Sequence, residues 1–266
     1  MASGPDHIFE FRAAVEKNRQ IFSLQHAYAH FAFFGICEGF ESIGKRLQIG
    51  RDRNSKSHVS LVPFVLLMER QSMNAFELLS TYRSYEAWVL IRPALEAALY
   101  MGKWVDDPEN AAIWSTREDR RTEYIKTFTG KALVSQSLPR APEINAVLTR
   151  LNDEFMHANE PYYTRHITAE RLSEDEIFLG VEYFDTEEDV EPHALAFLHL
   201  LAVLRDSVES MLATLLTGTG PYTAQAPKLA TELASRASQL RIRDAKSEKT
   251  LRELGLWFVV PGLPNP

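Results

Sequence analysis

The chain of 266 residues lacks several features that assign proteins to common classes. It has a single cysteine, Cys37, which excludes an intramolecular disulfide and suits a small buried residue in a reducing compartment. It has no glycine-rich phosphate loop, no Gly-x-Ser-x-Gly elbow and no cysteine pair at zinc-ligand spacing. These absences argue against the commonest nucleotide-binding, hydrolase and zinc-ribbon classes.

The sequence also lacks an apolar run of membrane-spanning length. Its most apolar long stretch, residues 21–37, is interrupted by His26 and His30 and is short for a bilayer span. The first residues, MASGPDHIFEF, lack the basic region and the apolar run of a signal peptide. We therefore expect a cytoplasmic protein that does not bind membranes.

Positive charge is in short supply, with 29 Lys and Arg against 36 Asp and Glu and a formal net charge of -7. Proteins that bind duplex DNA usually present a basic face, so we expect no duplex DNA partner. Hydrophobic residues make up 45% of the chain and charged residues 24%, which is typical of a globular protein. A chain of this length can bury a full-size core without disulfides or metal.

What the sequence does have is helical periodicity. Apolar residues recur at three- and four-residue spacing from about Ile8 to Leu47, and several later segments show the same period. The pattern predicts an all-α protein, an antiparallel bundle of about six or seven long helices. Pro93 lies inside one helical pattern and should kink or split that helix. The start signal at Asp107 predicts a helix that reaches about Gln136.

Two regions depart from this pattern. Residues 162–185 hold aromatic and β-branched residues in partial alternation, which predicts a small β-hairpin inserted in the bundle. We expect residues 1–225 to form a single helical domain. Residues 226–266 comprise a locally basic helical stretch and the apolar tail GLWFVVPGLPNP, which is expected to dock on the bundle or on a second subunit.

The stretch RLNDEFMH, residues 150–157, carries the main candidate site. Seven residues at about 100° each bring Arg150 and His157 to within roughly 20° of one helix face. Asn152 lies on a neighbouring face, and Glu154 lies one turn before His157. Opposite a second copy in a homodimer, such an Arg would position an RNA phosphate. The His would act as acid or base for attack by the 2′-OH, without a metal.

This stretch resembles the Arg-(four to six residues)-His motif of the HEPN superfamily. Many members of that superfamily are metal-independent ribonucleases of bacterial toxin–antitoxin and phage-defence systems. The resemblance implies that Arg150 and His157 form the catalytic pair across a homodimer, with Asn152 assisting. One departure is that a polar residue usually follows the Arg in that family, whereas Leu151 follows it here.

A broader resemblance covers about residues 84–158. This part of the chain is similar to uncharacterised bacterial helical families that pair an Arg-and-Glu helix with a later helix ending in His. Here the first helix carries Arg92 and Glu96 at i and i+4 in an otherwise apolar segment, so both side chains should be at least partly buried. Glu154 or His157 of the later helix would then complete a polar network or ligand-binding cluster.

The same residues have other interpretations. His157 near a helix C-terminus interacts favourably with the helix dipole, and Arg150 can pair with Asp153 or Glu154 in a purely structural role. A metal-binding bundle is a further alternative, with Glu154 and His157 as a Glu-x-x-His pair. His26 and His30 would supply the additional ligands, although their apolar neighbours favour histidines at an interface or at the edge of the core.

Two hypotheses therefore stand from sequence alone, and whether the protein is an enzyme stays open. The first is a HEPN-like, metal-independent ribonuclease that needs no cofactor. The second is a non-catalytic helical module that forms a homo-oligomer or binds a protein partner. Arg92, Glu96, Glu154 and His157 form its internal polar network.

Overall fold

The computed structural model describes residues 4–49, 56–155, 167–171, 173 and 176–218. Within them the protein is an all-α bundle, as predicted, and its α-helices fall into five long and three short ones. The long helices are α1 (Gly4–Gln25), α2 (Ala27–Ile49), α3 (Lys56–Ser80), α4 (Ser84–Asp106) and α8 (Glu187–Met211). The short helices are α5 (Glu109–Ser115), α6 (Arg121–Phe128) and α7 (Ala141–Arg150).

Helix α4 lies at the centre of the bundle because nearly every side of it is apolar. It packs against α3, α7 and α8, while α2 packs against both α3 and α8. Trp88, Ile91, Leu95 and Leu99 of α4 are fully buried, which places the core along this helix. The helix runs unbroken through Pro93, so the chain is not split there. Among the described helices, none is long and apolar enough to cross a bilayer.

The helical pattern from Ile8 to Leu47 is interrupted at His26, which contacts the carboxylate of Glu187. The chain leaves helical geometry at His26, between α1 and α2, and the His26 side chain is almost completely buried. Its Nε2 atom lies 3.0 Å from Oε1 of Glu187, in the first turn of α8. The Tyr82 hydroxyl, in the tight turn between α3 and α4, donates to the other oxygen of Glu187. Glu187 thus joins two helix junctions to the start of α8.

The helix predicted from Asp107 to about Gln136 is wrong in its extent. Asp107 does act at its start, since its side chain accepts a hydrogen bond of 2.9 Å from the Glu109 amide. The chain then turns at residues 116–120 between α5 and α6, and a 3-10 turn covers Gly130–Leu133. Arg120 stabilises the turn because it reaches back to Glu109 at 2.7 Å. The break folds two short helices over the end of α4.

A buried ion-pair network joins α2 to α8. Arg205 is 2% exposed and pairs with Glu209 one turn later, while Arg46 of α2 contacts the same Glu209 at 2.6 Å. Gly39 leaves the space for Arg205, since a Cβ at that position would lie 2.6 Å from the arginine Nε. No pattern in the sequence predicts this network, because its members come from two distant helices.

The hairpin predicted near residues 162–185 is present. Strands β1 (Ile167–Arg171) and β2 (Ile177–Val181) pair antiparallel, with Ile167 opposite Val181. The expectation for residues 226–266, a basic helix and a docking tail, lies outside the described residues.

Candidate functional site

One polar face of α4 carries the first candidate residues. Arg92 Nη2 lies 2.8 Å from Glu96 Oε1, and the two side chains are 32% and 26% exposed. The prediction that both are partly buried is therefore confirmed, and they pair with one another along the helix. The Nε atom of Arg92 is buried and makes no hydrogen bond within the described part of the chain. The Glu96 carboxylate thus holds the Arg92 guanidinium in place along the helix.

Tyr100 extends this face by one more turn. Its hydroxyl lies 3.4 Å from the hydroxyl of Tyr124 on α6. Burial, the hydrogen bond to Tyr124 and the nearby charge of Glu96 all raise the pKa of Tyr100, so the phenol stays protonated at neutral pH. The phenol is thus a fixed hydrogen-bonding group, and the short helix α6 closes this end of the polar face.

Arg150 and Asn152 lie on elements that pack against α4. Helix α7 begins beside Pro142, ends at Arg150 and continues as a π-helical turn over Leu151–Phe155. Both α7 and this turn contact α4, and Leu151 is fully buried, which anchors the turn to the core. Arg150 and Asn152 are half-buried. Single π-helical turns occur frequently at functional sites, because the extra residue redirects side chains away from the regular helical face.

The structure therefore brings together the segments of two predicted groups, the Arg92–Glu96 helix and the Arg150–Asn152 turn. The backbone of Glu154 belongs to the π-helical turn, whereas its side chain lies outside the described atoms, as does the whole of His157. The alignment of Arg150 with His157 along one helix face assumed a regular α-helix. The π-helical turn changes that angle, because each turn takes up about one more residue.

The histidines of the metal alternative have other partners. His26 contacts Glu187, and His30 Nε2 lies 3.2 Å from the Ser23 hydroxyl. Burial is the main cause that lowers the pKa of His30. Within the described residues no group of three or more His, Cys, Asp or Glu side chains is arranged to hold a metal ion. The side chains of the predicted ligands Glu154 and His157 are not among the described ones.

A second surface, which was not predicted from the sequence, lies between α2 and α3, and we call it the α2–α3 groove. The groove has a volume of about 580 Å³, and its walls combine aromatic and acidic residues. It is lined by His30, Phe31, Phe33, Phe34, Cys37, Glu38, Glu41, Glu69 and Met73. The one sequence feature that pointed to this surface was the set of apolar residues next to His30, which favoured a histidine at an interface.

Ionisable groups in the groove are partly removed from water. Burial, followed by the charge of Glu69, raises the pKa of the Cys37 thiol to about 12. Burial and the neighbouring Glu41 also raise the pKa of Glu69 itself. The groove is therefore apolar and locally negative, which is the reverse of what a phosphate-binding surface requires.

Comparison of the chain with protein-family models, with curated proteins and with solved structures finds no match in any of the three.

Proposed function

We propose that the protein is a HEPN-like, metal-independent ribonuclease that acts as a homodimer in a bacterial defence or toxin system. The observation that carries the proposal is the packing of the Arg150–Asn152 turn against the helix that bears Arg92 and Glu96. Arg150, Asn152 and Arg92 are half-buried, so their polar groups reach a surface without being fully solvated. Donors in such surroundings bind a phosphodiester more strongly than donors in bulk water.

The proposed reaction needs only these side chains and His157. Arg150 binds the non-bridging phosphate oxygens, and Asn152 donates a further hydrogen bond to them. His157 accepts the proton of the ribose 2′-OH as its oxygen attacks phosphorus. The bond between phosphorus and the 5′-oxygen breaks, and the leaving 5′-oxygen takes a proton from water. The products are a 2′,3′-cyclic phosphate and a 5′-hydroxyl, and no oxidant or metal is consumed. Glu96 orients Arg92, which adds a second cation near the phosphate.

The test is cleavage of a mixed RNA pool by the purified protein in EDTA. We expect the wild-type protein to cut RNA and leave 2′,3′-cyclic ends, and His157→Ala to lose at least about a hundredfold in rate. Arg150→Ala should lose activity to a similar degree because the phosphate is no longer positioned. His7→Ala and Arg121→Ala are matched controls, since both residues are exposed and lie on other helices.

Thermal melting of the same variants separates chemistry from stability. A loss of cleavage with an unchanged melting temperature supports catalysis by Arg150 and His157. No cleavage by the wild-type protein, or cleavage that survives both substitutions, would contradict the proposal. Cleavage that EDTA abolishes would instead indicate a metal-dependent nuclease.

A second candidate function is a non-catalytic helical interaction module. The α2–α3 groove favours it, because exposed apolar surface with a polar rim is typical of protein-binding sites. In this hypothesis Arg92 and Glu96 belong to a structural network with Glu154 and His157. Their partial exposure limits what the Arg92–Glu96 pair contributes to stability.

A further inference from the structure

The α2–α3 groove leaves large apolar side chains in contact with solvent. Phe31 and Phe34 of α2 are 80% and 64% exposed, and Met73 of α3 is 53% exposed. Exposure of these three side chains to water is unfavourable, and a docked segment would bury them. Full burial of one such side chain contributes about 1.5–3 kcal/mol. The groove therefore fits an occupant with apolar side chains of its own.

The charges around the groove favour an occupant with positive charge. Glu38 and Glu41 are exposed on α2, and Glu69 faces them from α3. The same three carboxylates would approach each other if two copies docked groove to groove, which is unfavourable for like charges. Lys45 pairs with Glu41 along α2 at 2.5 Å, so the rim has three carboxylates against this one ammonium group. A cationic segment is favoured as the occupant, because it would neutralise the remaining negative charge.

The chain itself supplies such a segment. Residues 226–253 hold seven basic and four acidic side chains, a net charge of +3 in a chain whose total is -7. The basic residues are Lys228, Arg236, Arg241, Arg243, Lys246, Lys249 and Arg252. The apolar run Leu256–Val260 follows directly and includes Trp257 and Phe258. The C-terminal segment is thus basic and then apolar, which complements a groove that is acidic and apolar.

The described part of the chain ends close to the groove. The Thr217 hydroxyl donates to the carbonyl oxygen of Arg46 at 3.2 Å, which fixes the exit point beside the last turns of α2. Arg46 lies eight residues beyond Glu38 on that helix, or about 12 Å along its axis. The 48 residues from 219 to 266 can span this distance many times over, even in compact form.

We infer that the α2–α3 groove is the docking site of the chain's own C-terminal segment, residues 219–266, bound in cis. The basic stretch neutralises the negative charge that Lys45 leaves on the rim of Glu38, Glu41 and Glu69, and the apolar run covers Phe31, Phe34 and Met73. The inference is independent of RNA cleavage, since none of these residues belongs to the proposed catalytic group.

A photocrosslinker in the full-length protein tests the inference. We would place p-benzoylphenylalanine at position 34, where the native phenylalanine is already exposed, and map the crosslinked peptides by mass spectrometry. The same group at position 125 is the matched control, because Ile125 is also apolar and 48% exposed but lies on α6. We expect crosslinks from position 34 to residues 219–266, and none to that segment from position 125.

An equimolar mixture of ¹⁴N- and ¹⁵N-labelled protein distinguishes the occupants. Crosslinked peptides of a single isotope support docking in cis. Peptides that pair the two isotopes would show that a second copy fills the groove and would overturn the inference. Crosslinks from position 34 to no part of residues 219–266, including crosslinks to a different protein only, would overturn it as well.

Charge reversal supplies an independent readout. We expect Glu38→Lys with Glu41→Lys to lower the crosslinking yield from position 34 by at least fivefold, because the basic segment is then repelled. Glu118→Lys with Asp119→Lys changes the net charge equally at the exposed turn between α5 and α6 and should leave the yield unchanged. An equal yield in both double variants would contradict docking by charge complementarity.

Discussion

Arg92 with Glu96 on α4 and Arg205 with Glu209 on α8 are ion pairs of the same type and the same i,i+4 spacing. The first pair is 32% and 26% exposed and lies within one helix. In the second pair Arg205 is 2% exposed and Glu209 is 16% exposed and also binds Arg46 of α2. The first pair therefore contributes little to stability because it reaches solvent, whereas the second is a fixed part of the α2–α8 contact.

The largest expected effect comes from Glu209→Ala. The substitution removes the carboxylate shared by Arg205 and Arg46, and it leaves the buried Arg205 guanidinium beside Asp206, which is exposed. Breaking a buried pair in this way costs about 3–5 kcal/mol. Urea denaturation measures it, with Glu96→Ala on α4 as the matched control. Equal losses in the two variants would remove the distinction between the pairs.

Gly39→Ala should have the next largest effect. A Cβ there would lie 2.6 Å from Arg205 Nε, and the arginine has little room to move because it is buried and paired. Overpacking of this kind costs about 1–3 kcal/mol. Gly44→Ala is the control on the same helix, since its nearest neighbour is Val65 Cγ1 at 3.8 Å. We expect that control to be stabilised by about 0.5–1 kcal/mol, and a stable Gly39→Ala protein would contradict close packing at Arg205.

His199, on the same helix as Arg205, should make stability depend on pH. Burial, followed by the positive charge of Arg140, lowers the pKa of His199 to about 4, against about 6.5 in the unfolded chain. The unfolded state therefore binds a proton first, and stability present above pH 6.5 is lost as pH falls towards 4. His199→Gln should flatten the urea-unfolding free energy over this range. An unchanged pH dependence in the variant would show that other groups cause it.

The smallest effect is expected for the Arg92–Glu96 pair itself. A double-mutant cycle with Arg92→Ala and Glu96→Ala should give a coupling energy of about 0.3–0.5 kcal/mol, because both side chains reach water. The coupling should fall towards zero in 1 M salt, where screening acts over about 3 Å. A coupling energy above about 2 kcal/mol that persists in salt would assign the pair to a structural network instead.

Local patterns predicted much of the fold. The apolar period gave the all-α bundle, and the alternation of residues in 162–185 gave the β-hairpin. Asp107 was identified as the start of a helix, and Arg92 with Glu96 as partly buried. Each of these features depends on residues close together in the chain, so its signal is present in a short window of sequence.

Features that depend on distant partners were not predictable in the same way. The helix break at His26 is explained by a contact to Glu187, 161 residues away. The α2–α3 groove and the contact of Arg205 with Gly39 arise only when helices meet. The π-helical turn after Arg150 follows a segment whose sequence has ordinary helical period. Tertiary packing determines these features, so residues that are close in sequence do not predict them.

The contacts of Glu187 also affect when the two helix junctions can form during synthesis of the chain. His26 and Tyr82 are translated 161 and 105 residues before the carboxylate that both contact. The first four helices therefore leave the ribosome before the group that ties their junctions together has been made. Until α8 has been made, the buried position of His26 lacks the Glu187 carboxylate, so we expect the two helix junctions to become ordered only after that point.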